Sequence, residues 1–394
     1  MNLPARHGRL PRHGAVKPIL AIVGAALSVV LVSTVSVAAI AAWQIGSSFA
    51  PGVDIGQEGE APPAVGPIDR PVNILLVGSD SGGGNAAYGE RGENLNDVTI
   101  LLHLSPVSNS AIAVSIPRDL YVPITGCEDG NPGTRKINEA LTYGGLACAV
   151  STVEALSGLN IEYAAKIEFD GVIAMSNAVG GVTVCVAEPI HDLQISFDLE
   201  AGEQTLSGWN ALQFLRSRHG VGNGSDTTRI SNQQLFLSAL MRKIKSEGTL
   251  TNPLTIYSLA KAAASNMQLS TSLSSLDTMA SMAKAVKDIP LANIAFVLYP
   301  SGETVVNGVS GVAPKKGDAQ ILMDAIAADA QIVVTGDPGG GAIAGEDVVE
   351  TPTPTPTGSG APTIAPEGPA VVELPSSITG QQATQQTCTN GQTF

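Results

Sequence analysis

From Pro71 onward the chain sets short apolar runs against polar clusters. "VNILLVGSD" reads as a buried strand closing on Asp80, and "DVTILLHL" and "AIAVSIPRD" are two further strand candidates. The first and third end in a polar cluster with a carboxylate, and in α/β sheets ligands gather outside strand ends. "KINEALTYGG" and "AVSTVEALSGL" predict helices that stop at or near glycine. "YAAKIEFDGVIAMSNAVGGVTVCV" reads strand, helix, Gly-Gly turn, strand. Between Asp226 and Ser246 the residues Ile230, Leu237, Leu240, Met241 and Ile244 fall on one side at helical spacing. Further helices are expected over residues 255–288, then a late strand in "IAFVLYP" and a last helix in "GDAQILMDAIAAD". Strands mixed with helices over residues 71–335 predict one α/β domain.

Outside that stretch the pattern changes three times. Ile19–Trp43 is apolar and uncharged, and longer than the ~20 residues that cross a bilayer core. Residues 1–18 carry Arg6, Arg9, Arg12 and Lys17 and no acid, so a transmembrane helix over 19–43 would keep its N-terminus in the cytoplasm and face the rest outward. A cleaved signal peptide is the rival reading, but its apolar stretch would be about 7–15 residues. Residues 44–70, rich in Gly, Pro and Ala, read as a linker. From Gly336 the composition turns to Pro, Gly, Thr and Ala, including "TPTPTPTGSGAPT". Such a segment buries too little apolar surface to offset its chain entropy, which predicts a disordered, extended tail over 336–394.

Charge narrows the function classes. Lys and Arg number 21 against 35 Asp and Glu, for a formal net charge of −14. General nucleic-acid binding needs a basic surface and is excluded as a partner class. Four cysteines, Cys127, Cys148, Cys185 and Cys388, allow three full pairings. An outward-facing domain permits disulfides. Cys127 and Cys148, both near loops or helix starts, are the first expected pair.

Within this acidic chain, "FLRSRHGVGNGSDTTRISNQQ" gathers Arg216, Arg218 and Arg229 around a glycine-rich loop. If "LQFLRSRH" is a strand, Arg216 and Arg218 share a face by its period of two. Asp226, Arg229 and Gln233 share a face of the helix that follows, whose N-terminus favours anions. Such a convergence suits a phosphate or pyrophosphate, which arginine grips with paired hydrogen bonds. Pairing with surface acids is an equal alternative for these arginines alone. Arg118 at a strand end, with Asp80 and Asp97 near the ends of neighbouring strands, adds the parts of a phosphate–Mg²⁺ site. A lone aspartate after a strand is more often a turn residue or helix cap, so the weight lies on the set. The chain has no GxSxG elbow, no GxxxxGKS loop and no HExxH. His103 fits a packed core position.

The order "NILLVGSDS", "NDVTILLHL", "VSIPRDLYV", "KINEALTYGG", "VEALSGLNIEY", "IEFDGV", "AVGGVTV", "AGEQTLSGWNALQFLRSRH", "DTTRISNQQLFLSALMRKI" resembles the LytR-CpsA-Psr family over residues 72–246, more loosely to about 330. The acidic, Ala/Gly-rich sequence and the Pro/Thr tail are similar to actinobacterial members. The resemblance implies an α/β domain with a mixed central sheet flanked by helices and a hydrophobic channel for a lipid chain. It implies an outward-facing, membrane-anchored phosphotransferase that moves a glycopolymer from a polyprenyl-pyrophosphate carrier onto peptidoglycan with the help of Mg²⁺. By position, Asp80 and Asp97 would hold the metal. Arg118, Arg216, Arg218 and Arg229 would contact the pyrophosphate, with Lys136 nearby and Asp226 and Gln233 orienting the cluster or the acceptor. Arginines usual in the family are replaced by Gly82, Leu95 and Asn232, with Arg91 as a compensating candidate. Catalysis would then be positioning and charge stabilisation. Which polymer is carried stays open. So do two other readings of the same site: a pyrophosphatase with water as acceptor, and a non-catalytic lipid-pyrophosphate binder or wall-assembly scaffold.

Overall fold

A computed structural model describes residues 16–56, 68–81, 94–128, 130–246, 249, 252–345 and 370–392. The chain forms two compact units, Met1–Ser47 and Ser48–Phe394.

The first unit is the helix α1 (Val16–Gly46), which covers the expected span Ile19–Trp43. Leu20, Ile22, Val29, Val30, Val32 and Val35, which lie on different sides of α1, are all exposed, so α1 is apolar around its circumference. Among the described residues no helix is long and apolar enough to cross a membrane.

The second unit begins its regular structure with β1 (Val72–Ser79), β2 (Asn96–Ser105) and β3 (Ser110–Ile116). There follow α2 (Ala140–Ser157), β4 (Tyr163–Ile167), α3 (Phe169–Ala178), β5 (Val182–Val186) and β6 (Gly202–Leu206). Next come α4 (Gly208–Arg216), α5 (Asp226–Lys245), α6 (Pro253–Asn266), β7 (Met267–Leu269) and α7 (Leu276–Asp288). The chain closes with β8 (Ile294–Leu298), α8 (Lys316–Ala327), β9 (Ala342–Ala344), β10 (Gly380–Gln382) and β11 (Thr387–Thr389).

The expected mixed sheet is present, in the order β7-β4-β1-β2-β3-β8-β10. β1–β2 and β2–β3 pair antiparallel, whereas β1–β4 and β3–β8 pair parallel. The alternation in β1 sorts its side chains between two cores. Leu75 and Val77 join α2 and α8 through Val150, Val153, Leu322 and Ile326, while Val72 and Ile74 join Phe296 and Met282 on the other face. A third apolar cluster joins Val182 and Val184 of β5 to Phe214 of α4 and Leu235 and Phe236 of α5. Between the two helices predicted over 136–159, Gly144 and Gly145 leave helical backbone within α2, which places the predicted break.

Three expectations need correction. "LQFLRSRH" is not a strand: it is the end of α4 and the loop after it. Ala211, Leu212, Phe214 and Leu215 have the i, i+1, i+3, i+4 spacing of a helix, and Ala211 and Phe214 are fully buried against β5 and α5. The linker 44–70 is partly folded, because Val53 pairs its backbone with Leu269 O at 2.9 Å and Thr271 N at 2.9 Å. The tail 336–394 is partly folded as well. β11 pairs parallel with β5 and antiparallel with β9, and β10 edges the central sheet. Main-chain bonding and a disulfide carry these short strands, which composition does not register. Residues 346–369 lie outside the described residues. Cys127 bonds Cys148 as first expected, and Cys185 bonds Cys388 across a separation of 203 residues.

Candidate active site

A β-bulge starts the site. β1 and β2 pair Gly78 with Val98 but Ser79 with Asn96, so Asp97 is the extra residue. A bulge re-aims the side chain it carries. Asp97 meets Arg118, which follows β3: Arg118 Nη1 lies 2.5 Å from Asp97 Oδ1. From the first turns of α5, Arg229 Nη2 donates to the Asp97 carbonyl at 3.0 Å and stands 2.7 Å from Asp226 Oδ1. Arg118 Nε is 3.4 Å from the same Asp226 oxygen. Two arginines and two aspartates from three elements thus form one cluster. Ser225 caps α5 by accepting from Thr228 N at 3.2 Å, which fixes the turn carrying Asp226 and Arg229.

The cluster is mostly buried, with the Arg229 side chain 6% and the Asp226 side chain 11% exposed. Burial works against the Arg118 charge, but Asp97, then Asp226 and Asp119, outweigh it and hold its pKa above the ordinary arginine value. Among the described residues Arg118 Nε, Arg229 Nε and both Asp226 carboxylate oxygens lack a well-formed hydrogen bond, although Asp226 Oδ1 is ion-paired with both arginines. Two arginines thus share one buried carboxylate besides Asp97, an arrangement that a bound anion would complete.

Lys136 pairs with Asp119 Oδ1 at 2.8 Å, and Asp119 Oδ2 is 4.0 Å from Arg118 Nε. Lys136 therefore joins the cluster through Asp119, a carboxylate the site expectation omitted although it stands beside Arg118. Arg216, at the end of α4, stacks its guanidinium 4.4 Å over the Phe169 ring and donates to Gln213 Oε1 at 3.2 Å. Arg218 turns back on its own loop, donating from Nε to Gly224 O at 2.7 Å. The two arginines expected on one strand face therefore have separate surroundings, because a helix end lies between them. Gln233 donates to Leu215 O at 3.0 Å and Asn232 to Phe214 O at 3.1 Å. These are among the last carbonyls of α4, which have no partner within the helix. Asn232, fully buried where an arginine is usual in the resembled family, is thus a helix cap here. Arg91 and Gly82 lie outside the described residues.

Asp80 is buried just past β1, with its backbone N–H donating to Leu95 O at 3.2 Å across the β1–β2 end. Asp80 and Asp97 thus belong to the ends of adjacent strands. Among the described residues no group of three or more His, Cys, Asp or Glu side chains gathers around one point. A Mg²⁺ ion shared with phosphate needs only one or two protein carboxylates, and of the two expected ligands Asp97 already accepts from Arg118.

Asp192 is a further residue that no sequence motif singles out. Its Oδ2 accepts from Ser217 Oγ at 3.0 Å, Arg218 N at 3.0 Å and His219 N at 3.1 Å, and its Oδ1 from Gln194 N at 3.2 Å. It holds the start of the arginine loop. Burial alone would push its pKa up, but these four donors outweigh that and keep it below the ordinary carboxylate value. Because the folded pKa is lowered, the stabilisation is present above the unfolded value of 3.8 and is lost as pH falls through the folded one. Asp192→Asn is expected to cost about 1–3 kcal/mol at pH 7, the scale for hydrogen bonds to a charged group. Denaturant titrations should show that gap closing below pH 3.8; a pH-independent gap would remove the charge from the explanation.

Beside the cluster lies a cavity of about 330 Å³. Asp97, Arg229, Arg216 and Gln233 belong to its lining, and the remainder is largely apolar. From α5 it takes Arg229, Gln233, Phe236, Leu237, Leu240 and Ile244. That face runs from Arg229 to Ile244, about 22 Å at 1.5 Å per residue.

The LytR_cpsA_psr family model matches residues 56–326. The chain is 39% identical over 189 residues to the probable cell wall biosynthesis protein LcpB of Corynebacterium glutamicum, covering 46% of this chain and 44% of that protein. It is 34% identical over 186 residues to the polyisoprenyl-teichoic acid–peptidoglycan teichoic acid transferase TagU of Oceanobacillus iheyensis, covering 46% of this chain and 53% of that one. The chain spans about half the length of these curated relatives. Among solved structures, protein gbs0355 from Streptococcus agalactiae superposes with a TM-score of 0.57 at 26% identity, over 65% of this chain and 86% of that chain.

Proposed function

The chain belongs to the LytR_cpsA_psr family, and from that premise we propose that it transfers a glycopolymer from a polyprenyl-pyrophosphate carrier to peptidoglycan. The observation that carries this is the continuity of a cationic cluster with an apolar cavity, since Arg229 and Asp97 belong to both. A lipid pyrophosphate has the same two parts. Its prenyl chain would lie along the Leu237–Ile244 face of α5, and its pyrophosphate would meet Arg118 and Arg229. Arg216 adds a cation at the cavity wall, Arg218 orders the loop, and Lys136 and Gln233 complete the surround. An acceptor hydroxyl attacks the phosphorus next to the sugar. The P–O bond to the carrier breaks, polyprenyl monophosphate leaves, and a phosphodiester joins polymer to peptidoglycan. Mg²⁺ held by Asp80 and Asp97 would neutralise phosphate charge. Asp226 would orient both arginines, and its carboxylate would take the hydroxyl proton. On the sequence of residues 1–43 the chain would be anchored in the cell membrane with its N-terminus cytoplasmic.

The test incubates the chain with labelled polyprenyl-pyrophosphoryl glycan, Mg²⁺ and a peptidoglycan oligomer. Linked product is expected. Free phosphate alone would identify a hydrolase, and binding without turnover a scaffold. Narrowing the cavity with Leu240→Trp is expected to raise KM for a long-chain donor by about tenfold or more, within the range set by apolar pocket contacts. A short-prenyl donor should be unaffected. Equal effects on both donors would place the chain elsewhere.

A further inference from the structure

Two segments beyond the family match lie against the arginine loop and the start of α5. The first is "GGG", residues 339–341. A Cβ on Gly341 would overlap the Thr228 carbonyl, and one on Gly339 would overlap Ser231 Oγ. Both partners belong to the first turns of α5, the turns that carry Asp226 and Arg229. Gly222 of the loop has φ +50, and a Cβ there would stand 2.5 Å from Gly340 O. Only glycine allows backbone to approach this closely.

The second segment is the C-terminal stretch from Thr387. Asn390 O accepts from Gly222 N at 2.8 Å, and Gln392 N donates to Gly220 O at 2.9 Å. Val221 and Gly391 form an antiparallel bridge between those bonds. Asn390 N donates to Gly341 O at 3.1 Å, which ties the two segments together. Cys388 is bonded to Cys185 of β5, and Arg242 Nη1 holds the approach by donating to Ala383 O and Gln385 O, each at 3.0 Å. The loop thus has Asp192 on one side and this segment on the other.

A loop with Gly220, Gly222 and Gly224 has more conformational freedom to lose than most, so its order depends on outside partners. We propose that Gly339–Ala342 and Thr387–Gln392 form a strap in cis that positions the arginine loop and the first turn of α5 for anion binding, pinned by the Cys185–Cys388 bond. The proposal rests on the Arg118–Arg229 cluster being an anion site. Gly341, Gly222 and Cys388 are positioning residues, since none touches the anion.

Two variants of the full chain test it: the double substitution Cys185→Ser with Cys388→Ser, and Gly341→Val. Hydrogen exchange reads the loop directly, and titration with inorganic pyrophosphate and Mg²⁺ reads its consequence. Amides of residues 218–224 are expected to exchange about tenfold faster or more, while those of β1–β3 keep their protection. Pyrophosphate affinity is expected to fall by about tenfold or more, as small displacements of a positioned group can cost up to about a hundredfold. Unchanged exchange at 218–224 in both variants overturns the strap. Faster exchange with unaltered affinity, where Arg229→Ala abolishes that affinity, overturns its positioning role. A wild-type chain that binds no pyrophosphate overturns the anion-site reading instead, and the exchange data then still decide whether the strap orders the loop.

Discussion

Replacing Arg118 with alanine is expected to lower the transfer rate by about 10²–10³, the scale for losing one preorganised donor to developing charge. Arg118 is the better probe of the pair because its side chain is 23% exposed against 6% for Arg229, so less of the effect passes through stability. Its Nη1 is engaged by Asp97 and its Nε faces Asp226 at 3.4 Å, so the guanidinium is held from two sides. Held in that way, it meets an incoming phosphate without reorganising. Arg118→Lys keeps a charge but not the planar fork, and should recover only part of the rate. The measurement is kcat and KM for the linked product. A loss confined to KM would mean that Arg118 binds donor and transition state alike. A loss in kcat below about threefold, far under the donor scale, would sink its assignment to the transition state.

The parts of this site differ in how legible they are in the sequence. β1, β2 and β3 are marked by apolar runs, because a core covers each of their two faces, and α5 by its helical spacing. Apolar patterning alone therefore puts Asp80, Asp97 and Arg118 at strand ends. It does not reveal the bulge that turns Asp97 toward Arg118, since nothing in "NLNDV" marks which residue is the extra one. α4 reads as a strand only if Leu212 and Phe214 are taken with Arg216 and Arg218, whereas Ala211, Leu212, Phe214 and Leu215 together carry the helical spacing that packs against β5 and α5. The helix in place of that strand sends Arg216 to the Phe169 ring and turns Arg218 onto Gly224. The strap escapes the pattern for a different reason. Its strands are only three residues long, and they are stabilised by main-chain bonds and by Cys388. Composition reports the apolar surface a segment can bury, not the bonds its backbone finds.

Asp226→Ala is expected to destabilise the fold by about 3–5 kcal/mol, because it leaves buried arginine charge without its counter-ion. Arg229 loses its 2.7 Å partner, and Arg118 Nε loses its neighbour at 3.4 Å. Asp97 remains, but its contact with Arg229 Nη1 is 3.8 Å, so it cannot compensate for both. The double variant Asp226→Leu with Arg229→Met removes the pair and fills its space with apolar atoms. It should be far closer to wild type in stability than Asp226→Ala, since replacing a buried ion pair with packed apolar groups is often neutral. Yet it should be as inactive as Arg229→Ala. Chemical denaturation of the single and double variants, with transfer assays on each, separates the two roles. If the double variant were as unstable as the single one, the cluster would be part of the packing itself. If it folds and fails to turn over, the arginines are kept in a buried, partly unsatisfied arrangement that stability does not require, and binding an anion accounts for their presence there.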